Sequence, residues 1–150
     1  MPNEVYTTRE GSVTSVIERL LETITTSVDA ALYRFNNANL ARALQEAARR
    51  GARVRLLLDR NKYEESRSAQ QVLSRAALPF RLLYGRKGPG SKMHHKFAIL
   101  DNHTVLTGSY NWTPESEEQN YENLLVLREP AQVEAYQREF EALWEASREP

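Results

Sequence analysis

Met93-His94-His95-Lys96-Phe97-Ala98-Ile99-Leu100-Asp101, followed by Gly108-Ser109-Tyr110-Asn111, is the stretch on which the reading of this 150-residue chain turns. It spells H-x-K-x4-D and then G-S-x-N, and with only 3 histidines in the chain chance is a poor explanation of the spacing. The apolar run from Lys96 to Asp101 reads as a buried strand, and Thr104 to Thr107 reads as a second one. Asn102-His103 between them predicts a hairpin with a two-residue turn. In that register Lys96 stands opposite Ser109 and His94 opposite Asn111. Side chains two apart on a strand share a face at about 6–7 Å, so four groups suited to phosphoryl chemistry are expected to meet.

The combination resembles the phospholipase D superfamily, the HKD phosphodiesterases, and in particular its small single-motif bacterial endonuclease branch. The resemblance covers roughly Gly11 to Leu127 and implies a phosphodiester substrate. Attack on a phosphodiester builds negative charge on its non-bridging oxygens, which calls for donors already in place. Lys96 supplies a point charge, and the Asn111 amide and Ser109 hydroxyl supply fixed dipoles. His94 is left as the nucleophile. One ring nitrogen can attack only if the other is held protonated by an acceptor, so a carboxylate is expected nearby. The resemblance assigns that role to Glu122, in Asn120-Tyr121-Glu122-Asn123. Asp101 completes the motif, but its strand parity is opposite to that of His94 and Lys96, and a structural role in turn and loop hydrogen bonding is expected for it.

Members of the superfamily use a second motif histidine to protonate the leaving oxygen and then to activate water. This chain has none to spare. His95 points to the opposite sheet face, where it is expected to be packed or hydrogen-bonded, and His103 is expected to be solvated in the turn with positive φ. The second imidazole must then come from another copy of the chain, and a two-fold homodimer would bring both copies of His94, Lys96, Ser109, Asn111 and Glu122 around one phosphate. With no cysteine, and with a histidine spacing that matches neither H-E-x-x-H nor a zinc-finger pattern, metal-independent catalysis is expected, with no cofactor.

Composition sets the outer bounds. With 41% hydrophobic and 27% charged residues, 150 residues suffice for one core, and a single domain over 1–150 is expected. The first residues lack the basic and apolar regions of a secretory leader, and a cytoplasmic location without stable membrane association is expected. Apolar periodicity predicts an edge strand at Glu4–Thr7, a helix along Val13, Val16, Ile17, Leu20, Leu21 and Ile24 capped by Ser12, and a strand at Val28–Phe35. A second helix opens at Asn37, presents Leu40, Leu44, Ala47 and Ala48 inward, and ends at Gly51. A strand at Val54–Leu58, a helix over about Glu64–Arg75, strands at Phe80–Leu83 and Glu122–Leu127, and a last helix over about Ala131–Ala146 complete the reading. The alternation implies an α/β fold with a mixed, largely parallel sheet flanked by helices on both faces, as in the phospholipase D-like sandwich.

The formal net charge of +0 argues against nonspecific coating of nucleic acid, but the cations cluster. Arg34 ends one predicted strand, Arg60 and Lys62 follow another, and Arg86, Lys87 and Lys92 lie in and beside the Gly85–Gly90 loop that enters the motif, so a substrate-binding rim is expected there. Trp112 is a further candidate, as a stacking platform for a base. Together these features favour a metal-independent endonuclease acting on DNA or RNA, single strands preferred, through a phosphohistidine in a homodimeric site. The alternatives are a phospholipid phosphodiesterase of phospholipase D or cardiolipin type, and a non-catalytic nucleic-acid-binding module.

Overall fold

A computed structural model describes residues 3–150. One seven-stranded sheet organises the chain. Its strands are β1 (Glu4–Thr7), β2 (Ser27–Leu32), β3 (Arg53–Asp59), β4 (Arg81–Leu83), β5 (Lys96–Leu100), β6 (Thr104–Gly108) and β7 (Asn123–Leu127), in the spatial order β1-β7-β6-β5-β2-β3-β4. The helices are α1 (Val13–Glu22), α2 (Ala38–Arg49), α3 (Arg60–Glu65), α4 (Arg67–Ala76), α5 (Pro114–Glu118) and α6 (Pro130–Ala146).

The mixed α/β sheet with helices on both faces is as expected, but the balance of pairings differs. Only β2–β3 and β3–β4 are parallel, and the other four neighbouring pairs are antiparallel. The cause is the hairpin: β5 inserts antiparallel beside β2, and β6, β7 and β1 then follow by reversal. Five of the seven strands still run the same way, so one end of the sheet gathers the C-terminal ends of β2, β3 and β6 with the N-terminal ends of β5 and β7.

Strand alternation divides the core into two layers. Ala30, Leu32, Leu56, Leu58, Ala98 and Leu106 face α1, α2 and α4, while Ala31, Leu57, Phe97, Ile99 and Val105 face α6 through Val133 and Phe140. All six residues of β2 are buried, including Asp29, whose carboxylate accepts from Arg55 Nε at 2.8 Å and Nη2 at 3.0 Å. Arg55 continues to Glu141 on α6 and lies over the Phe140 and Trp144 rings, so the buried ion pair also fixes how α6 docks.

Local capping explains most boundaries. Ser12 and Asn37 accept from the backbone N–H groups of Ser15 and Leu40, starting α1 and α2 as the sequence suggests, and Thr113 starts α5 by accepting from Ser116 N–H. Two expectations need correction. The helix expected over Glu64–Arg75 is two helices, because Asp59 caps α3 directly from the end of β3 and Ser66, in extended conformation, accepts from Ala69 N–H and starts α4 afresh. Ala48 is exposed, since the buried stripe of α2 runs through Leu40, Ala41, Leu44 and Ala47.

Candidate active site at the sheet end

The hairpin does form, but with a three-residue loop. Leu100 pairs with Thr104, leaving Asp101, Asn102 and His103 between the strands. The left-handed residues are Asp101 (φ 52°) and Asn102 (φ 57°), not His103. Asp101 leaves the strand because its carboxylate has better partners: it accepts from the N–H groups of Thr25, Thr26 and Ser27 and from the Thr26 hydroxyl, tying the hairpin tip to the loop before β2. Burial alone would raise its pKa, but these donors outweigh it and bring the group down to about 2. The one-residue change shifts the register, so that β5 continued outward sets Lys96 against Gly108 rather than Ser109.

Gly108 then becomes the junction. At φ 149°, a Cβ there would lie 2.3 Å from the Asn123 carbonyl oxygen, so only glycine allows β6 to approach β7 this closely. The approach locks Ser109 to β7. Its Oγ donates to Glu122 Oε1 at 2.6 Å and accepts from Asn123 N–H at 3.0 Å, while its own N–H donates to the Asn123 carbonyl. Glu122 also accepts from Asn120 Nδ2 at 3.1 Å.

His94 and Lys96 do come together. Lys96 Nζ lies 3.3 Å from His94 Nδ1 and donates to the His94 carbonyl oxygen at 2.9 Å. Burial, the Lys96 charge and the Lys92 charge hold His94 below the ordinary histidine range, and Asp59 opposes them. Burial likewise lowers the Lys96 pKa, and Glu122 partly offsets it. Glu122 therefore faces Lys96 electrostatically, but its hydrogen bonds within the chain go to Ser109 and Asn120 rather than to His94. The Asn111 Oδ1 atom, the acceptor end of that amide, is buried without a hydrogen-bond partner.

Two residues that sequence reasoning did not single out complete the cluster. Tyr33, just past β2 and only 7% exposed, packs its ring against His94 with centroids 4.5 Å apart. The ammonium groups of Lys96 and Lys62 lie 5.2 and 5.8 Å from the same ring. Asp59, fully buried at the end of β3, accepts from Met93 N–H at 2.8 Å and from Lys62 N–H at 3.0 Å, which latches the segment entering His94 to α3. Their signal in the sequence is positional: both close strands at the end of the sheet where ligands bind in α/β folds.

The remaining candidates divide. Lys92, Arg86 and Lys87 are exposed in the segment before His94, whereas Arg34, Arg60 and Lys62 pair with Glu115, Glu64 and Glu65. Trp112 is corrected: at 1% exposure its indole packs edge-on against Phe35, and no ring face is free for a base. Tyr110 is equally buried, its hydroxyl 2.6 Å from Thr14 Oγ1. The exposed aromatic ring among the described residues is Tyr121, 91% exposed and next to Glu122. His95 hydrogen-bonds through Nε2 to Glu139 Oε2 of α6 at 2.7 Å, and His103 is exposed with Nδ1 2.8 Å from Thr104 Oγ1. Among the described residues no three His, Cys, Asp or Glu side chains converge as a metal-binding group, and no helix is long and apolar enough to cross a membrane.

A histidine–lysine pair, an amide with a buried unpartnered oxygen and a serine–carboxylate pair thus gather at one end of the sheet. The family model described as "Cardiolipin synthase, PLD-like domain" matches residues 17–144, and the chain belongs to that family. It is 39% identical over 119 residues to a mitochondrial cardiolipin hydrolase of Xenopus laevis, a match covering 79% of this chain and 55% of the relative. The chain thus spans about half the length of the curated relatives it matches. Its fold is similar to that of Nuc from Salmonella typhimurium, a phospholipase D family member, with a TM-score of 0.88, 25% identity, and coverage of 99% of this chain and 97% of that one. NucT from Helicobacter pylori shares the fold at a TM-score of 0.88 and 23% identity, covering 99% of both chains.

Proposed function

We propose that this chain is a metal-independent endonuclease that hydrolyses DNA or RNA, single strands preferred, through a phosphohistidine at His94 in a site shared by two copies. Family membership supports phosphodiester hydrolysis in general. The observation that carries the nucleic-acid reading is the run of exposed cations Arg86, Lys87 and Lys92 leading into His94, none of them ion-paired among the described residues. A chain of phosphates can engage several such charges at once, whereas one phosphate at His94 already has Lys96.

His94, held largely neutral at pH 7, attacks phosphorus through one ring nitrogen, and the P–O bond to the leaving strand breaks. The leaving oxygen takes a proton from the protonated imidazole of the second copy. That imidazole, now neutral, removes a proton from water, which attacks phosphorus and breaks the P–N bond, restoring both histidines. On substrate binding Glu122 exchanges its Ser109 contact for the nucleophilic ring, which frees the Ser109 hydroxyl to donate, with Lys96 and Asn111, to the non-bridging oxygens. A single chain supplies one such imidazole, since His95 and His103 are bound elsewhere.

A phospholipid phosphodiesterase is the second reading, favoured by the kinship with cardiolipin hydrolases. Incubation with labelled single-stranded DNA, duplex DNA, RNA and phospholipid vesicles in excess chelator separates them. The nuclease reading expects chelator-resistant cutting of nucleic acid, fastest on single strands; hydrolysis confined to vesicles would replace it with the lipid reading.

A further inference from the structure

A cleft of about 580 Å³ opens from His94 and runs between the β4–β5 segment and the C-terminal half of α6. Phosphate chemistry has no use for its apolar lining, Leu83, Tyr84, Met93, Leu143 and Ala146. Arg86 and Lys92 stand at its mouth beside His94. One carboxylate, Glu139, lines it with its side chain 47% exposed. Its Oε2 accepts from His95 Nε2, and its Oε1 has no hydrogen-bond partner among the described residues.

We propose that this cleft is a nucleobase subsite: with the scissile phosphate at His94, it receives the base of an adjoining nucleotide, whose N–H edge donates to Glu139 Oε1. The inference rests on the nuclease reading and adds base selection to it. A cleft contiguous with the nucleophile meets what the scissile phosphate carries, and apolar walls suit a heteroaromatic ring. The two cations at the mouth suit the phosphates on either side of it. An acyl chain would fill the apolar part equally well, but it would shield the half-exposed Glu139 carboxylate from water without offering a donor, and an acceptor desolvated without a partner is costly. A base edge brings that donor.

The carboxylate also sets the order of preference. Guanine presents N1–H and the N2 amino group side by side, both donors. Thymine presents one N–H flanked by two carbonyl oxygens, which a carboxylate repels. Guanine is therefore the best occupant and thymine the worst, with a discrimination of roughly tenfold for one direct contact.

The test uses labelled single-stranded oligothymidylates carrying one internal dG, with cut sites mapped and kcat/KM compared for bonds beside dG and between thymidines. The wild-type chain is expected to favour the bond beside dG roughly tenfold. Glu139→Gln, which exchanges one acceptor oxygen for a donor, should bring the ratio close to one, whereas Glu134→Gln, exposed on the same helix, should keep it. Leu143→Trp, which fills the cleft, should depress cutting beside dG more than cutting between thymidines. Uniform cutting by the wild type, or an unchanged ratio in Glu139→Gln, overturns the subsite while leaving the nuclease reading intact. Loss of dimer mass in Leu143→Trp with the ratio unchanged overturns it in favour of a contact between subunits. Failure to cut any nucleic acid, with vesicle hydrolysis blocked by Leu143→Trp, overturns both the subsite and the nuclease reading and assigns the cleft to an acyl chain.

Discussion

Lys96 Nζ sits 3.3 Å from His94 Nδ1, so the ammonium that would steady the phosphate lies against the imidazole that would attack it. A cation this close disfavours protonation of the ring, and burial acts in the same direction. The neutral ring is the nucleophilic form.

The first consequence concerns pH. Cleavage should follow a bell-shaped profile, because one His94 must be neutral while its mate is protonated, and the acidic limb should lie below the ordinary histidine value near 6.5. Lys92 adds to the depression, so Lys92→Gln should move the acidic limb upward by a few tenths of a pH unit. Initial rates across about pH 4.5–9, under conditions where chemistry limits turnover, check both the shape and the sign. A limb that moves downward would contradict this electrostatic account.

Tyr33 should matter through its ring rather than its hydroxyl, since the ring packs against His94 and faces two ammonium groups. Tyr33→Phe is expected to keep nearly full turnover. Tyr33→Leu should lose about tenfold or more in kcat with a smaller change in KM, because a misdirected nucleophile affects the transition state more than binding. Steady-state kinetics on both variants, with folding checked by thermal melting, decide the matter.

Asp101 should act on stability and not on chemistry. Replacing it with Asn removes charge-assisted bonds to the Thr25–Ser27 loop, and a loss on the order of 2 kcal/mol is expected near pH 7. Its folded pKa, about 2, lies below the ordinary carboxylate value of 3.8. The stabilisation is therefore fully present above about pH 4 and is lost as pH falls toward 2. Urea midpoints of the two proteins should converge over that window, and equal stability at pH 7 would rule out the latch.

The same residue shows where sequence reasoning stops. The apolar run before Asp101 and the i, i+2 spacing of His94 and Lys96 are local features, and local alternation brings that pair together as expected. The loop length is not local. Asp101 turns left-handed to reach donors about 75 residues earlier in the chain, and that choice moves the register by one. Gly108 was legible as a motif letter but not as a close approach to Asn123, which depends on β7. Trp112 was misread because Asn111 and Thr113 beside it are polar, whereas its packing partner, Phe35, is distant in the sequence and meets it only through the fold. The strands and the first two helix starts, in contrast, followed from alternation and from Ser12 and Asn37.

The sharing of one site by two chains is the central claim, and subunit mixing tests it most directly. His94→Ala protein, shown to be folded and to exchange subunits by tagged co-purification, is titrated into wild-type protein at constant total concentration while single-stranded DNA cleavage is measured in chelator. Each mixed dimer holds one imidazole and lacks either nucleophile or leaving-group acid, so activity should fall as the square of the wild-type fraction, with His94→Ala alone at least about a thousandfold slower. Activity that declines in simple proportion to the wild-type fraction, or a fully active monomer, would contradict the account and place the second acid within a single chain.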